Sequence, residues 1–181
     1  MPKTFLVLID GPMGSGKTTT SKLLNQKLPD TARVALPDIK RLVPNFREDS
    51  KTLNTIREVM RAMIETYLKN DVSVVVEQIT KADGAHLLKE ITERNGATFH
   101  GYRLTAPKEI RWNRVLERTK CMMEVSELPQ SKIDELAGYF EPNHQFYIDN
   151  PIEISETVNT DEFNTDEVIS HIINNLTTQP Y

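Results

Sequence analysis

The sequence predicts an α/β fold in three layers, a parallel sheet with helices packed on both faces. Two observations carry this. Short apolar runs of strand length alternate with stretches of helical periodicity along the chain. The first strand then enters the first helix through a glycine-rich turn, Gly11-Pro12-Met13-Gly14-Ser15-Gly16-Lys17-Thr18. In that context the pattern G-x-x-x-x-G-K-[ST] reads as a phosphate-binding loop.

Taken in order, Phe5–Ile9 is the first strand and Lys17–Leu28 the first helix, with Leu23, Leu24 and Leu28 at helical spacing. Arg33–Leu36 is the second strand. A helix over Ser50–Lys69 follows, carrying Leu53, Ile56, Met60, Met63, Ile64 and Tyr67 on one stripe that reads as core. Val72–Glu77 is almost continuously apolar, as a central strand buried on both faces should be. Helix Asp83–Arg94, strand Ala97–Leu104, helices Pro107–Arg118 and Ser131–Phe140, strand Ile152–Val158 and helix Thr165–Leu176 complete the alternation. Tyr139-Phe140-Glu141-Pro142 reads as a helix end stopped by proline. Thr119–Gln130 is the mixed polar segment long enough to move as a lid, and the tail after Leu176 reads as frayed.

The residue types in the loop follow from what a polyphosphate needs. Several donors must converge on it at short range. Backbone N–H groups supply them where Gly11, Gly14 and Gly16 leave room, and Met13, Ser15 and Thr19 belong to the same wrap. The helix N-terminus adds unpaired N–H groups and a positive dipole end. Lys17 brings a mobile cation to the outer phosphates, and Thr18 offers a hydroxyl to Mg²⁺.

A chain of 181 residues, 38% hydrophobic and 27% charged, supports one globular domain spanning residues 1–181. Its one cysteine, Cys121, cannot make an internal disulfide, which suits a reducing, cytoplasmic setting. The N-terminal apolar run is too short for a signal peptide, and no stretch approaches a membrane span. A net charge of −4 disfavours a protein whose main task is holding long nucleic acid, while leaving room for a local basic cleft. His86, His100, His144 and His171 lack ligand spacing, which argues against zinc.

In an open parallel sheet, ligands collect beyond the carboxyl ends of the strands. Asp38 stands just past the second strand on that edge, where a carboxylate beside a terminal phosphate accepts a proton from an incoming hydroxyl. It also suits a helix N-cap. Arg41, three residues on, shares its face if a helix starts there and can hold an anionic part of an acceptor. Glu77 ends the most apolar strand and can orient a water on the metal held by Thr18; the alternative is a solvated loop carboxylate. Gln78 can hydrogen-bond an acceptor. Arg111, Arg114 and Arg118 share a helix face. Arg111 fits a wet surface equally well, Arg114 can stack on a base, and Arg118 can close onto phosphate oxygens. Thr80-Lys81-Ala82-Asp83 imitates a guanine-reading tetrapeptide, but no D-x-x-G precedes it, and Asp83 suits a cap for the helix it opens.

These residues resemble a family. Gly11 to Thr18, the Asp38-Ile39-Lys40-Arg41 step, the Arg114–Arg118 pair ahead of a lid, and Val158-Asn159-Thr160-Asp161 before the last helix are similar to the small P-loop kinases of the nucleoside monophosphate kinase type. Nearer still, they resemble the branch holding the polynucleotide 5′-kinase domain, chloramphenicol phosphotransferase and the zeta toxins. The resemblance implies a three-layer P-loop NTPase fold, a central five-stranded parallel sheet, a small helical lid, and ATP with Mg²⁺. It implies Lys17, Asp38 and Arg118 as catalytic residues, Asp38 being the base, with Arg41 on the acceptor and Arg114 against adenine. Asn159 and Thr160 would border that adenine through backbone atoms. Two departures stand out. Glu77 lies where relatives often show Asp, and the lid around Cys121 and Met122 is less arginine-rich.

The function expected is therefore transfer of the γ-phosphoryl group of ATP to a hydroxyl of a small molecule or nucleotide. A nucleic-acid 5′ end is the alternative acceptor. A nucleotide-dependent switch without any acceptor is the alternative of a different class; it lacks a D-x-x-G segment here.

Overall fold

The computed structural model describes residues 4–43 and 49–178. Five strands, β1 (Phe5–Asp10), β2 (Thr31–Ala35), β3 (Ser73–Glu77), β4 (Thr98–Thr105) and β5 (Ser155–Asn159), form one sheet in the order β2-β3-β1-β4-β5. Every pairing is parallel, so all five carboxyl ends lie on one edge. The helices are α1 (Lys17–Lys27), α2 (Leu36–Arg41), α3 (Ser50–Lys69), α4 (Ala82–Arg94), α5 (Lys108–Met123), α6 (Gln130–Asp149) and α7 (Thr165–Thr178).

Alternation along β1 divides the core. Leu6 and Leu8 face one way, with Val34, Val74 and Val76, onto Ile56, Met60, Ile64 and Leu68 of α3 and Ala85, Leu88 and Ile91 of α4. Val7 and Ile9 face the other way, with Val75 and Leu104, onto Leu24 of α1 and Val168, Ile169 and Ile172 of α7. The three-layer parallel fold is thus as the sequence predicts, and so is the α3 stripe from Ile56 to Tyr67, which Leu68 extends while Leu53 stays outside the cluster. A third, small cluster of Val115, Leu136 and Phe140 joins α5 to α6 and takes in Met13 of the glycine-rich loop and Trp112. No described helix is long and apolar enough to cross a membrane.

Several expectations need correction. Proline does not stop the helix at Phe140: α6 runs on through Pro142 to Asp149. Proline removes one N–H and disturbs the carbonyl four residues back, here that of Gly138. Long-range contacts hold both halves, with Phe140 buried on one side of Pro142 and Asn143 and Tyr147 bonded to the loop on the other. Likewise α5 runs on to Met123 and ends at Glu124 in the left-handed region, φ 55°, so the stretch between helices shortens to Glu124–Pro129. Asp83 sits inside the first turn of α4, whose N-cap is Lys81, so it complements the dipole rather than caps. Asp38 is not a cap either: α2 starts at Leu36, with Ala35 as its N-cap. Of the tail beyond Leu176, Thr177 and Thr178 close α7, and the rest lies outside the described residues.

Candidate active site

The loop between β1 and α1 is shaped by its neighbours. A Cβ on Gly11 would stand 2.2 Å from the Leu104 carbonyl oxygen, and one on Gly14 2.4 Å from that of Arg111. Both glycines therefore let the loop pass against β4 and α5, rather than clear space for a ligand as the sequence reading supposes. At Gly16 a Cβ would meet nothing; a φ of 92° at the α1 N-cap selects glycine there. α1 has neither a side-chain cap nor an acidic residue in its first turn. The Ser15 hydroxyl is buried with no hydrogen-bond partner among the described residues. An uncapped helix start, a buried hydroxyl without a partner and a lysine at the turn fit a polyphosphate.

Lys17 is half-buried, and its Nζ donates to the Pro12 carbonyl at 2.9 Å. Burial pushes its ammonium down to about 8, against the attraction of Asp10 and Glu77 and with the repulsion of Arg118 and Arg111. The sign of the pH effect follows. Below about pH 8 the lysine is charged in both folded and unfolded chains, and the folded state bears the full cost of the buried cation. Between about 8 and the ordinary value of 10.5 that cost is relieved, so the free protein gains stability as pH rises. A bound triphosphate favours the cation again. ATP binding at pH 9 is therefore expected to take up a proton that binding at pH 7 does not. Calorimetry in buffers of different ionisation enthalpy checks this, and Lys17→Met should remove the difference.

Glu77 lies at the end of β3 and is 2% exposed, which excludes a solvated loop carboxylate. Its Oε1 accepts from the Thr18 hydroxyl at 2.5 Å, and its Oε2 from Ser21 Oγ at 2.7 Å and from Arg33 Nη2. Burial would raise its pKa, but the Ser21, Thr18 and Arg33 contacts hold it below the usual carboxylate range. A carboxylate oxygen has two lone pairs, so Oε1 keeps one free. Among the described residues no group of three acidic, histidine or cysteine side chains could hold a metal by itself. The Thr18 and Glu77 oxygens therefore fit Mg²⁺ only together with phosphate and water, the habit of that ion.

Asp38 and Arg41 share a face of α2, as the three-residue spacing predicts. Asp38 Oδ1 accepts from Arg41 Nη1 at 2.5 Å and Oδ2 from Arg33 Nη1 at 2.6 Å. Gln78 is half-buried, and its backbone N–H donates to the Ile9 carbonyl at 3.3 Å. Arg114 sends Nη1 to Thr160 Oγ1 at 2.8 Å and Nη2 to the Thr160 carbonyl at 2.7 Å. Thr160 Oγ1 in turn lies 3.3 Å from the Ser15 carbonyl, so Arg114 is tied to the loop through the β5–α7 connection. Asn159 turns its amide to Glu162 at 2.8 Å. Arg118, one turn beyond Arg114, is exposed, and its charge bears on Lys17. Thr19 is exposed at the start of α1.

Three contributors escape sequence reasoning. Arg111 is 2% exposed and not a wet surface residue; it donates to the Ala106 and Met13 carbonyls at 3.0 and 3.2 Å and meets His144 Nδ1 at 2.9 Å. Asp10 is wholly buried, with Oδ2 bonded by Arg103 Nε and Nη2 at 3.0 and 2.9 Å and Oδ1 by the Tyr147 hydroxyl at 2.6 Å. Tyr147 and Asn143 then receive the Gly11 and Met13 amides at 3.3 and 2.6 Å, so those two loop N–H groups are spent on α6. The i, i+4 pair Asn143/Tyr147 is the one local signal of this. Arg33 is the third.

A search of curated proteins finds no match. Among solved structures the fold is similar to a candidate kinase from Chloroflexus aurantiacus, with a TM-score of 0.72, 15% identity, and 99% of this chain and 100% of that one covered. It is similar to the Mycobacterium tuberculosis APS kinase at a TM-score of 0.63 and 14% identity, covering 98% of this chain and all of the other. A chain of the Pnkp1/Rnl/Hen1 RNA repair complex matches at 0.59 and 17%, over 85% of this chain and 49% of its own length. At such identities the likeness shows a P-loop kinase-like fold. Residues 7–135, well over half of the sequence, match the family model of the AAA domain, and the chain belongs to that family.

Proposed function

We propose that the protein is an ATP-dependent kinase that moves the γ-phosphoryl group to a hydroxyl of a small molecule or nucleotide. The supporting observation is the continuous bond path from Thr18 through Glu77 and Arg33 to Asp38 at the carboxyl edge of the sheet. The Asp38 carboxylate on that path supports its reading as the base, and its bond from Arg41 supports a role for that arginine toward an anionic acceptor group.

In this reading the loop amides other than those of Gly11 and Met13, with the α1 N-terminus, hold the triphosphate, and Lys17 leaves the Pro12 carbonyl for its outer oxygens. Arg114, Asn159 and Thr160 bound the adenine. Thr18 and Glu77 would hold Mg²⁺, which would supply charge neutralisation for the phosphates. The acceptor oxygen forms a bond to the γ-phosphorus, the bond from that phosphorus to the ADP oxygen breaks, and the acceptor's proton goes to Asp38. The Glu124–Pro129 stretch between α5 and α6 closes as the lid and brings Arg118 of α5 onto the transferring oxygens. Gln78 and Arg41 orient the acceptor.

ATP consumption with MgATP alone, against a panel of nucleosides, nucleotides, sugars and 5′-hydroxyl oligonucleotides, tests the reading. Stimulation by a hydroxyl compound, with a phosphorylated product, is the expected result. Slow hydrolysis that no hydroxyl speeds is the mark of a switch. Where an oligonucleotide is active, its binding should weaken steeply with salt; a flat response removes the polynucleotide acceptor.

A further inference from the structure

All three nitrogens of the Arg33 guanidinium are engaged at this edge. Its side chain is 15% exposed, reaching from β2 across to α1 and β3. Nε donates to Ser21 Oγ at 2.9 Å, Nη1 to Asp38 Oδ2 at 2.6 Å, and Nη2 to Glu77 Oε2. Register explains the reach: Arg33 lies opposite Val75, two residues before Glu77 on the same sheet face, and that face carries α1. One planar fork thus bonds the carboxylate beside the metal-side hydroxyl and the carboxylate on the acceptor side. Neither carboxylate is bonded to the other, and each has another polar contact of its own, Glu77 with Thr18 and Asp38 with Arg41.

From this geometry we infer that Arg33 is a positioning residue that sets Asp38 and Glu77 in one fixed relation. It makes the metal side and the acceptor side of the phosphoryl group a single unit; this rests on the kinase reading. Three properties suit it to the task. A guanidinium stays charged and cannot take the acceptor's proton. Its donors lie in one rigid plane, so fixing one carboxylate fixes the other. And by occupying Asp38 Oδ2 it leaves Oδ1, whose bond is to the 76%-exposed Arg41, as the oxygen an acceptor can reach. Lysine would supply the charge and three donors, but from one nitrogen on a flexible stem, with no rigid plane to hold the two carboxylates in one relation.

The test uses the whole protein with ADP, aluminium fluoride and Mg²⁺, a mimic of the transferring phosphoryl group that requires no known acceptor. Arg33→Gln is expected to weaken Mg²⁺–ADP–aluminium fluoride about thirtyfold while changing the affinity for ADP without metal less than twofold. Arg33→Lys recovers only part of the loss. In an Asp38→Asn background the further loss on Arg33→Gln should shrink to about threefold or less, because residues in one bonded network are not additive. Full additivity, or wild-type affinity in Arg33→Gln, overturns the inference, as does full recovery with lysine. Urea unfolding of each variant screens for collapse; if Arg33→Gln unfolds, Arg33→Lys alone carries the cycle. If Lys17→Met binds the mimic as wild type does, it is the kinase reading that fails instead.

Discussion

Lys17→Met is expected to abolish the rise in melting temperature that MgATP gives the wild-type protein and to lower phosphoryl transfer by about a thousandfold. The magnitude is that of removing a preorganised charge from the transition state of phosphoryl transfer. Methionine keeps the aliphatic stem, so no large cavity opens. The lysine is half-buried with its pKa already driven down to about 8 by that burial. Removing the cation therefore should not destabilise the free protein at pH 7 and should raise its melting temperature slightly. The two signs together separate this from misfolding: a variant at least as stable as wild type without nucleotide, yet indifferent to it. Ligand stabilisation grows as the logarithm of concentration over dissociation constant, so a thermal series in MgATP reads the loss directly. A variant that gains as much from MgATP as the wild type removes the loop as the nucleotide site.

The parts of this site that are contiguous in sequence were legible before any coordinates. Gly11 to Thr18 declares itself because strand, loop and helix follow within one stretch and each residue type has a local reason. Asp38 and Arg41 were legible because three residues on a helix make neighbours, although α2 is only six residues long and gave no periodicity of its own. Glu77 was legible as a charge closing an apolar strand. What stayed hidden depends on which strands lie side by side. Arg33 reads as one polar residue of an edge strand until β2 is set against β3, when its fork meets Glu77. Arg111 looks like surface until α6 covers α5 and supplies His144 and the Phe140 ring, 5.2 Å from the guanidinium. The continuation of α6 past Pro142 was masked by a sound local rule, outweighed by Asn143 and Tyr147 binding the loop. Nor does the sequence reveal that what crowds Gly11 and Gly14 is protein backbone, of Leu104 and Arg111.

Asp38→Asn is expected to slow transfer by about a thousandfold, within the range for loss of a general base, and to leave MgATP binding within twofold. The substitution keeps the shape and an acceptor oxygen but loses the charge and the ability to take a proton. The structure also says which accompanying effects to expect. In the free protein Asp38 is held by two arginines, Arg33 at 2.6 Å and Arg41 at 2.5 Å. A carboxylate so engaged is fixed in orientation, with one arginine on each oxygen. The two bonds differ in how readily they can be given up. Arg33 is 15% exposed and also bonds the buried Glu77, whereas Arg41 is 76% exposed and bonds Asp38. An anionic group on the acceptor can draw Arg41 away, releasing Oδ1 while Arg33 keeps Oδ2 in place. Binding the acceptor and freeing the base would then be one event. Arg41→Ala accordingly should separate from Asp38→Asn in its kinetics. It frees Oδ1 permanently, so kcat changes little, while KM for a phosphorylated or carboxylated acceptor rises about tenfold or more and KM for an uncharged one stays near wild type. Equal effects on charged and uncharged acceptors would leave Arg41 as a clamp on Asp38 with no part in choosing what is phosphorylated.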